Sequence, residues 1–137
     1  MILRQTHYPI YVIDQDESLK FYRDKLGFVV RTDVKMENGF RWLTISPKGQ
    51  PDLEINLQAI HSAPGVNPET AEQLEAMVQK GVFGVAVFET DDCQGDYEAW
   101  SKLGVEFVQP PQEQFYGIEA IVKDNSGNWF SLTERKR

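Results

Sequence analysis

Cysteine is nearly absent from this 137-residue sequence, which contains only Cys93. A single cysteine excludes an internal disulfide bond and is typical of a reducing compartment, so we expect a cytoplasmic location. Long apolar runs are also missing: no stretch of about 18 apolar residues occurs, and the first residues lack the apolar segment of a secretion signal. We therefore expect no membrane partner and no removable leader.

Basic residues are scarce relative to acidic ones, with 14 Lys and Arg against 21 Asp and Glu and a net charge of −7. The small basic group at residues 135–137 reads as a solvated tail. Because binding to nucleic acid requires clustered Lys and Arg, nucleic acid is not an expected partner. With 41% hydrophobic and 26% charged residues, the chain has the composition of one globular domain.

The sequence repeats its own plan in its second half. Lys25-Leu26-Gly27 recurs as Lys102-Leu103-Gly104, and each triplet ends an amphipathic stretch and precedes a β-rich one. Residues 52–57 correspond to 129–134, with apolar residues at the same alternate positions. Glu54 then corresponds to Ser131, so the halves differ where polar chemistry is expected.

Periodicity and turn residues predict the order β-α-β-β-β in each half. Asn38-Gly39 predicts a two-residue hairpin turn, Gly27 and Gly104 predict helix ends, and Asp91-Asp92 predicts a helix cap. A linking helix over 69–80 would bury Leu74, Met77 and Val78. In the second half we expect a short strand at 105–108, then strands at 117–123 and 128–133.

These elements predict an α+β fold of two tandem βαβββ modules that form a curved sheet around a central cleft. We expect one domain, with modules at about residues 1–58 and 82–137 and a connector with the linking helix at 59–81. One face of each module's sheet is expected to line the cleft. By strand alternation that face carries His7, Pro9, Tyr11, Glu54, Asn56, Val85, Val87, Glu119, Ile121, Ser131 and Thr133.

Two motifs connect this plan to a known family. The run from Ser18 to Phe28, SLKFYRDKLGF, resembles a helix end written "FY…LGF", and residues 124–128, DNSGN, resemble a "DPDGN" turn. The chain thus resembles the vicinal oxygen chelate superfamily, which includes glyoxalase I, bleomycin-resistance proteins and extradiol dioxygenases. The motifs specify the fold more sharply than the reaction, because one scaffold serves many chemistries.

The resemblance implies four metal-ligand positions, two in each module. His7 and Glu54 match the first two. Val85 and Ser131 stand at the third and fourth, where metal-dependent members have His and Glu. Valine cannot bind a metal and a serine hydroxyl is a poor substitute for a carboxylate, so the site is incomplete and glyoxalase I chemistry is not expected.

Two functions that use a bound small molecule remain open from the sequence, beside a third, that of a degenerate family member kept for protein–protein interaction. The first is small-molecule binding of the bleomycin-resistance type, without a metal and in a homodimer. The second is a lactoylglutathione-lyase-like or dioxygenase-like enzyme, a lyase, isomerase or oxygenase with a shifted site of His7, Glu54 and Glu119 holding Ni, Zn, Mn or Fe. Glu54 and Glu119 would then be catalytic. The expected substrate-binding residues are His7, Tyr11, Trp42, Asn56, Val85, Val87, Tyr116, Ile121 and Ser131.

Cys93, Arg41 and His61 are three further residues whose side chains carry reactive or charged groups. Cys93 lies near a predicted helix N-terminus, which favours a lowered pKa, although a partly buried inert thiol is the preferred reading. Arg41 adjoins Trp42 and would meet an anionic ligand only if it, and not Trp42, points inward. His61 lies in a connector rich in Pro and Gly and is expected to be exposed.

Overall fold

The computed structural model describes all residues, 1–137, and the chain forms two compact units, Met1–Ala76 and Met77–Arg137. Each unit contains one four-stranded sheet and the element order β-α-β-β-β. The predicted α+β fold of two similar modules is therefore confirmed. None of the helices is long and apolar enough to cross a membrane.

Unit 1 has its strands in the spatial order β1-β4-β3-β2, with β1 parallel to β4 and the other neighbours antiparallel. Its elements are β1 (His7–Val12), α1 (Gln15–Leu19), a π-helical turn (Lys20–Lys25), β2 (Val29–Lys35), β3 (Arg41–Ser46), β4 (Glu54–Ala59) and a 3-10 turn (Ile60–Ser62).

The first helix begins at Gln15, one residue before Asp16, the first of the acidic residues in its first turn. Asp14 caps α1, because its carboxylate accepts a hydrogen bond from the Glu17 amide at 3.0 Å. The helix widens into the π-helical turn, where the Leu26 amide donates to the Phe21 carbonyl five residues back. Gly27, with φ of 83°, ends it as predicted.

The hairpin between β2 and β3 is wider than the predicted two-residue turn. The last strand pair is Lys35 with Arg41, so residues 36–40 form the loop. A two-residue turn of the expected type needs positive φ at both central positions, and only Gly39 has it. Asn38 instead accepts a hydrogen bond from the Phe40 amide through its side chain.

The linking helix α2 spans Pro68–Gln79, close to its predicted range. Its buried residues are Ala71 and Val78, with Leu74 half-buried between them. Met77 was predicted to be buried and is 44% exposed. The buried face therefore runs through positions 71, 74 and 78, the spacing of one helical stripe, and Met77 lies beside it.

Unit 2 repeats the topology with the order β5-β8-β7-β6. The strand β5 is parallel to β8, and the other neighbours are antiparallel. Its elements after α2 are β5 (Gly84–Glu89), α3 (Cys93–Lys102), β6 (Glu106–Gln114), β7 (Gly117–Lys123) and β8 (Trp129–Arg135). Asp92 caps α3 by accepting from the Gly95 amide at 2.9 Å, as predicted.

The strand β6 is longer than the short strand predicted at 105–108, because it continues through Pro110 and Pro111. Proline cannot donate a ladder hydrogen bond and is tolerated at sheet edges. The strand is the edge of its sheet, and its pairing with β7 shifts register between Gln109 and Gln112, across both prolines.

Each sheet buries one face against its own unit's helix. In unit 1 this face carries Ile10, Val12, Leu43, Ile45, Ile55 and Leu57, and in unit 2 it carries Ala120, Val122, Phe130 and Leu132. We call the opposite side of each sheet its far face. The far faces carry the alternate side chains, and these include most of the residues predicted to bind a ligand.

Candidate functional site

Polar side chains on the far face of unit 1 are joined in a hydrogen-bonded row. The parallel pairing of β1 with β4 puts His7 directly beside Glu54. The His7 Nε2 atom lies 3.3 Å from Glu54 Oε2, and the hydroxyl of buried Thr44 donates to Glu54 Oε1 at 2.6 Å. Thr6 Oγ1 is 2.8 Å from His7 Nδ1. The row holds one carboxylate and one imidazole in a fixed, partly exposed position.

Aromatic rings lie next to this row. The Trp42 ring centroid is 5.9 Å from that of His7 and 6.5 Å from that of Phe40, which stacks on it at 28°. Trp42 therefore shares the far face with His7. Arg41, one position earlier, points to the other side and binds Asp33 and Asp16, with its side chain only 12% exposed. Of the two neighbours, Trp42 is the one available to a ligand on this face.

A second polar group lies on the far face of unit 2 and centres on Glu119. Its two carboxylate oxygens accept hydrogen bonds from Tyr116 Oη and Ser131 Oγ, each at 2.5 Å. Ser131 Oγ is also 2.9 Å from Thr133 Oγ1. The hydrogen bond to Glu119 is the main cause that raises the pKa of Tyr116. This carboxylate is thus bound by neutral hydroxyl groups.

The pairing of β5 with β8 decides which side chain adjoins Ser131. Val87 is its partner, whereas Val85 falls in an irregularity between Gly84 and Ala86. Val87 is 75% exposed. Unit 2 therefore has Val87 and Ser131 side by side, where unit 1 has His7 and Glu54.

A cavity of about 490 Å³ opens on unit 2. Its walls include Trp129, Ile121 and Val108, with charged groups at the rim; the lining residues are Lys80, Gly81, Glu106, Val108, Ile121, Lys123, Gly127 and Trp129. Ile121 and Trp129 alternate with the buried Ala120, Val122 and Phe130, which puts both on the far face. The volume is that of a site for a small organic molecule.

The position of Trp129 depends on a glycine in the neighbouring strand. Gly84 pairs with Trp129, and a Cβ atom at Gly84 would come within 2.4 Å of the indole ring. No ordinary side chain fits at that distance, so Gly84 leaves the space in which the indole lies. The strand β8 thereby supplies a flat aromatic wall to the cavity, in space that Gly84 of β5 leaves open.

Comparison with protein-family models identifies the family. The family model described as Glyoxalase/Bleomycin resistance protein/Dioxygenase superfamily matches residues 4–132. The chain belongs to this superfamily. The Bacillus subtilis protein YurT is 33% identical to it over 131 residues, which cover 92% of this chain and 94% of YurT.

Solved structures similar to this chain have the same fold. The structure of UcmS2 is 40% identical, with a TM-score of 0.92 and coverage of 98% of this chain and 99% of that chain. TnmS3, an antibiotic binding protein from Streptomyces sp. CB03234, is 25% identical, with a TM-score of 0.76 and coverage of 98% of both chains. The resemblance predicted from the two motifs is confirmed.

The two units of this chain differ in the side chains that could bind a metal ion. His7 and Glu54 contact each other in unit 1, and Glu119 belongs to unit 2. Neither unit contains a group of three or more His, Cys, Asp or Glu side chains that fits a metal ion. In unit 2 the two positions that the resemblance predicts to match metal ligands hold Val85 and Ser131, neither of which supplies a strong ligand for a transition metal.

The predicted site residues fall into two groups by unit. Unit 1 holds His7, Tyr11, Trp42, Glu54 and Asn56; His7 contacts both Glu54 and Trp42, and Asn56 pairs in register with Thr44. Unit 2 holds Val85, Val87, Tyr116, Glu119, Ile121 and Ser131; Glu119 contacts Tyr116 and Ser131, and Ile121 lines the cavity. Their roles in binding or catalysis stay predictions.

Several residues of the cavity were missed by the sequence reasoning. Lys80, Val108 and Lys123 line it, and Gly84 makes room for Trp129. A signal for Lys123 was present, since strand alternation from Glu119 and Ile121 continues to it. Lys80 follows a helix end and carries no periodic signal, so only the structure brings it to the cavity.

The thiol of Cys93 is buried, and burial is the first cause that raises its pKa; the charge of Glu134 raises it further. The raised pKa agrees with the expected inert thiol and contradicts the lowered pKa that a helix N-terminus would favour. His61 is half exposed, as expected, and its Nε2 atom contacts a Glu75 carboxylate oxygen.

Proposed function

We propose that this protein binds a small, largely apolar organic molecule and needs no chemical step to do so. The observation that carries the proposal is the cavity of about 490 Å³ on unit 2, with Trp129 as a flat wall and Ile121 and Val108 as aliphatic ones. Sites of this kind bind aromatic or polycyclic ligands by burial of apolar area, while a few polar groups fix the orientation.

The polar groups of the far faces fit a binding role. Both oxygens of Glu119 and one of Glu54 already accept hydrogen bonds from neutral hydroxyls, and the other Glu54 oxygen lies against His7. Such groups hold their geometry without a ligand and offer hydrogen-bond partners to one. The relation to TnmS3, an antibiotic binding protein, supports a natural product as the ligand.

The binding proposal is tested with a panel of polycyclic aromatic compounds, including natural-product antibiotics. Binding is measured by quenching of tryptophan fluorescence and by the rise in melting temperature, and the compound is recovered afterwards for mass spectrometry. We expect at least one compound to bind, to be recovered unchanged, and to raise stability by about 2.7 kcal/mol at a hundredfold excess over Kd.

Trp129→Leu should weaken binding of that compound about tenfold or more, because it removes the flat wall. Leu103→Ala is the matched control, since Leu103 is a 50% exposed apolar residue of the same unit and lies outside the cavity. The proposal fails if no aromatic compound binds, or if both variants weaken binding equally.

A second function, a metal-dependent enzyme with His7, Glu54 and Glu119 as ligands, is favoured by one observation. His7 and Glu54 are adjacent, with Nε2 and Oε2 at 3.3 Å, as two ligands of one ion would have to be. Elemental analysis of the purified protein tests it. Stoichiometric Ni, Zn, Mn or Fe that is lost in His7→Ala would support the enzyme, and a metal content equal in both proteins would contradict this site.

A homodimer is also proposed. Apolar side chains at the N-terminus are almost fully exposed in the single chain, with Met1 at 110%, Ile2 at 94% and Leu3 at 85%. Light scattering during size-exclusion chromatography should give twice the chain mass of 15.7 kDa. A cytoplasmic location stays a prediction, to be checked by cell fractionation.

A further inference from the structure

The rim of the cavity on unit 2 is positively charged, although the whole chain carries a net charge of −7. Two lysines, Lys80 and Lys123, line the cavity together with one carboxylate, Glu106. The ammonium group of Lys80 makes no ion pair and no hydrogen bond. Lysine is one of the residues that keep their charge at neutral pH, so this rim attracts anions.

The second lysine is only loosely paired. Lys123 Nζ lies 3.6 Å from Glu106 Oε2, and the Glu106 side chain is 66% exposed. Ion pairs this exposed contribute little, because water solvates both partners and the Coulomb energy is small. Lys123 is itself 35% exposed, and it shares its strand face with Ile121. An anionic group in the cavity can therefore compete with Glu106 for this ammonium.

The cavity that the two lysines line also has apolar walls. Trp129 presents its ring, and Ile121 and Val108 present aliphatic groups, within the same cavity as the two lysines. A small inorganic anion would satisfy the lysines and leave these walls in contact with water. A neutral hydrocarbon would cover the walls and leave the ammonium groups beside apolar surface. A molecule with both parts satisfies both sets of groups.

We propose that the ligand of this cavity is a planar aromatic molecule that carries an acidic oxygen, as a carboxylate, a sulfonate or an ionised phenol. The aromatic part lies against Trp129, and the acidic oxygen lies between Lys80 and Lys123. This inference rests on the proposed binding function and names the chemical class of its ligand. It reverses the preference for cationic ligands that the net charge alone would indicate.

The test uses two probes that share one ring system and differ in charge. The anionic probe is 1-anilinonaphthalene-8-sulfonate, and the neutral probe is N-phenyl-1-naphthylamine. Each is titrated into the full-length protein and into Lys80→Gln, Lys123→Gln and Glu106→Gln, with probe fluorescence as the readout. Lys102→Gln is the matched control, because Lys102 is an exposed lysine of the same unit outside the cavity.

Lys80→Gln and Lys123→Gln should each lower the affinity for the sulfonate by about threefold to tenfold, the effect of removing one partly exposed charge pair. The affinity for the neutral probe should stay unchanged, which also shows that the variant is folded. Glu106→Gln should raise the sulfonate affinity about twofold to threefold, because it frees Lys123. Added salt should weaken the binding of the sulfonate and leave the binding of the neutral probe unchanged.

Three different results would contradict either the proposed ligand class or the binding function on which it rests. If both lysine variants leave the ratio of sulfonate to neutral affinity unchanged, charge selection is wrong while binding stands. If Lys102→Gln lowers the ratio as much as they do, the effect comes from net charge and not from this rim. If neither probe binds the wild type, the cavity does not bind aromatic molecules and the proposed function fails with it.

Discussion

Glu54 is held on the far face of unit 1 by a hydroxyl on one oxygen and an imidazole on the other. The Thr44 hydroxyl is fully buried and donates at 2.6 Å, while the Glu54 side chain is 27% exposed. A charge-assisted hydrogen bond between a buried donor and a partly buried carboxylate contributes more than one in open solvent. Glu54 thus keeps one orientation because Thr44 fixes it.

Thr44→Val should lower the free energy of unfolding by about 1–2 kcal/mol, because it removes this bond and keeps the shape of the side chain. Urea unfolding measures the change. Thr32→Val is the matched control on the neighbouring strand, since Thr32 pairs with Thr44 and its hydroxyl makes no hydrogen bond. An equal loss in both variants would show that the contact with Glu54 contributes nothing.

The individual residues of the candidate site could be predicted only in part. Strand alternation and the two motifs indicate His7, Glu54, Glu119 and Ser131 as far-face residues, because period-two patterning fixes which side a strand residue faces. The partners within each group depend on register. Thr44 as the donor to Glu54 does not follow from spacing, since that contact crosses from β3 to β4. Tyr116 lies only three residues before Glu119, but it precedes β7, so strand alternation does not indicate where its side chain points.

At the scale of elements, Arg41 ties three segments of unit 1 together. From β3 it binds Asp33 on β2 through Nε at 2.8 Å and Nη2 at 2.9 Å, and it binds Asp16 on α1 through Nη1 at 2.7 Å. The side-chain hydrogen bond from Arg41 is the largest cause that lowers the pKa of both carboxyl groups. These contacts attach the helix to the strands on the face away from Trp42.

The lowered pKa values of Asp16 and Asp33 determine how the stability of the protein changes as the pH falls. Both carboxyl groups stay ionised to lower pH in the folded chain than in the unfolded one. Their contribution to stability is therefore present above the ordinary carboxyl pKa of about 4 and is lost as the pH falls through the lower folded values. Arg41→Gln should lose less stability than the wild type between about pH 5 and about pH 2.

Thermal unfolding at a series of pH values measures this difference. Arg4→Gln removes the same charge at an exposed position with no ion pair, and it should keep the acid response of the wild type. Parallel curves for wild type and Arg41→Gln would contradict the role given to Arg41.

The turn before β8 supports α2 through a close backbone contact. Asp124 accepts hydrogen bonds from the amides of Ser126, Gly127 and Asn128, and a Cβ atom at Gly127 would come within 2.3 Å of the Val78 carbonyl oxygen. Gly127 also has φ of 117°, which other residues rarely adopt. The helix end and the turn therefore fit only with glycine at this position.

Gly127→Ala should destabilise the protein by about 3–5 kcal/mol, from backbone strain and a steric clash together. Gly39→Ala is the matched comparison, because Gly39 has φ of 89° and no atom within 4 Å of the added methyl group, so about 1–2 kcal/mol is expected. Denaturant unfolding of both variants separates strain from clash, and equal losses would show that the contact with Val78 is unimportant.

Element types and order were largely predictable, and element lengths were less so. Glycines at positive φ and polar caps mark helix ends locally, which is why α1, α2 and α3 were placed within a few residues. The prediction ends this strand before Pro110-Pro111, because proline in general opposes strand pairing, whereas β6 continues to Gln114. Proline is tolerated there because β6 is an edge, a property of sheet order that no local pattern contains.

At the scale of the whole chain, charge governs solution behaviour. The net charge is −7 at neutral pH, and the isoelectric point calculated from the sequence is about 4.8. Molecules without net charge repel each other least, so solubility should be lowest near pH 4.8. Turbidity across a pH series checks this, and a minimum of solubility at neutral pH would contradict it.

The irregular pairing of β5 with β8 has a consequence for the design of a metal-binding pair in unit 2. Sequence correspondence suggests placing histidine at 85 and glutamate at 131, but the strand neighbour of Ser131 is Val87. A double variant Val87→His and Ser131→Glu would reproduce the side-by-side placement of His7 and Glu54. A histidine placed at 85 by alignment alone would lie two residues away, along β5, from the strand neighbour of position 131.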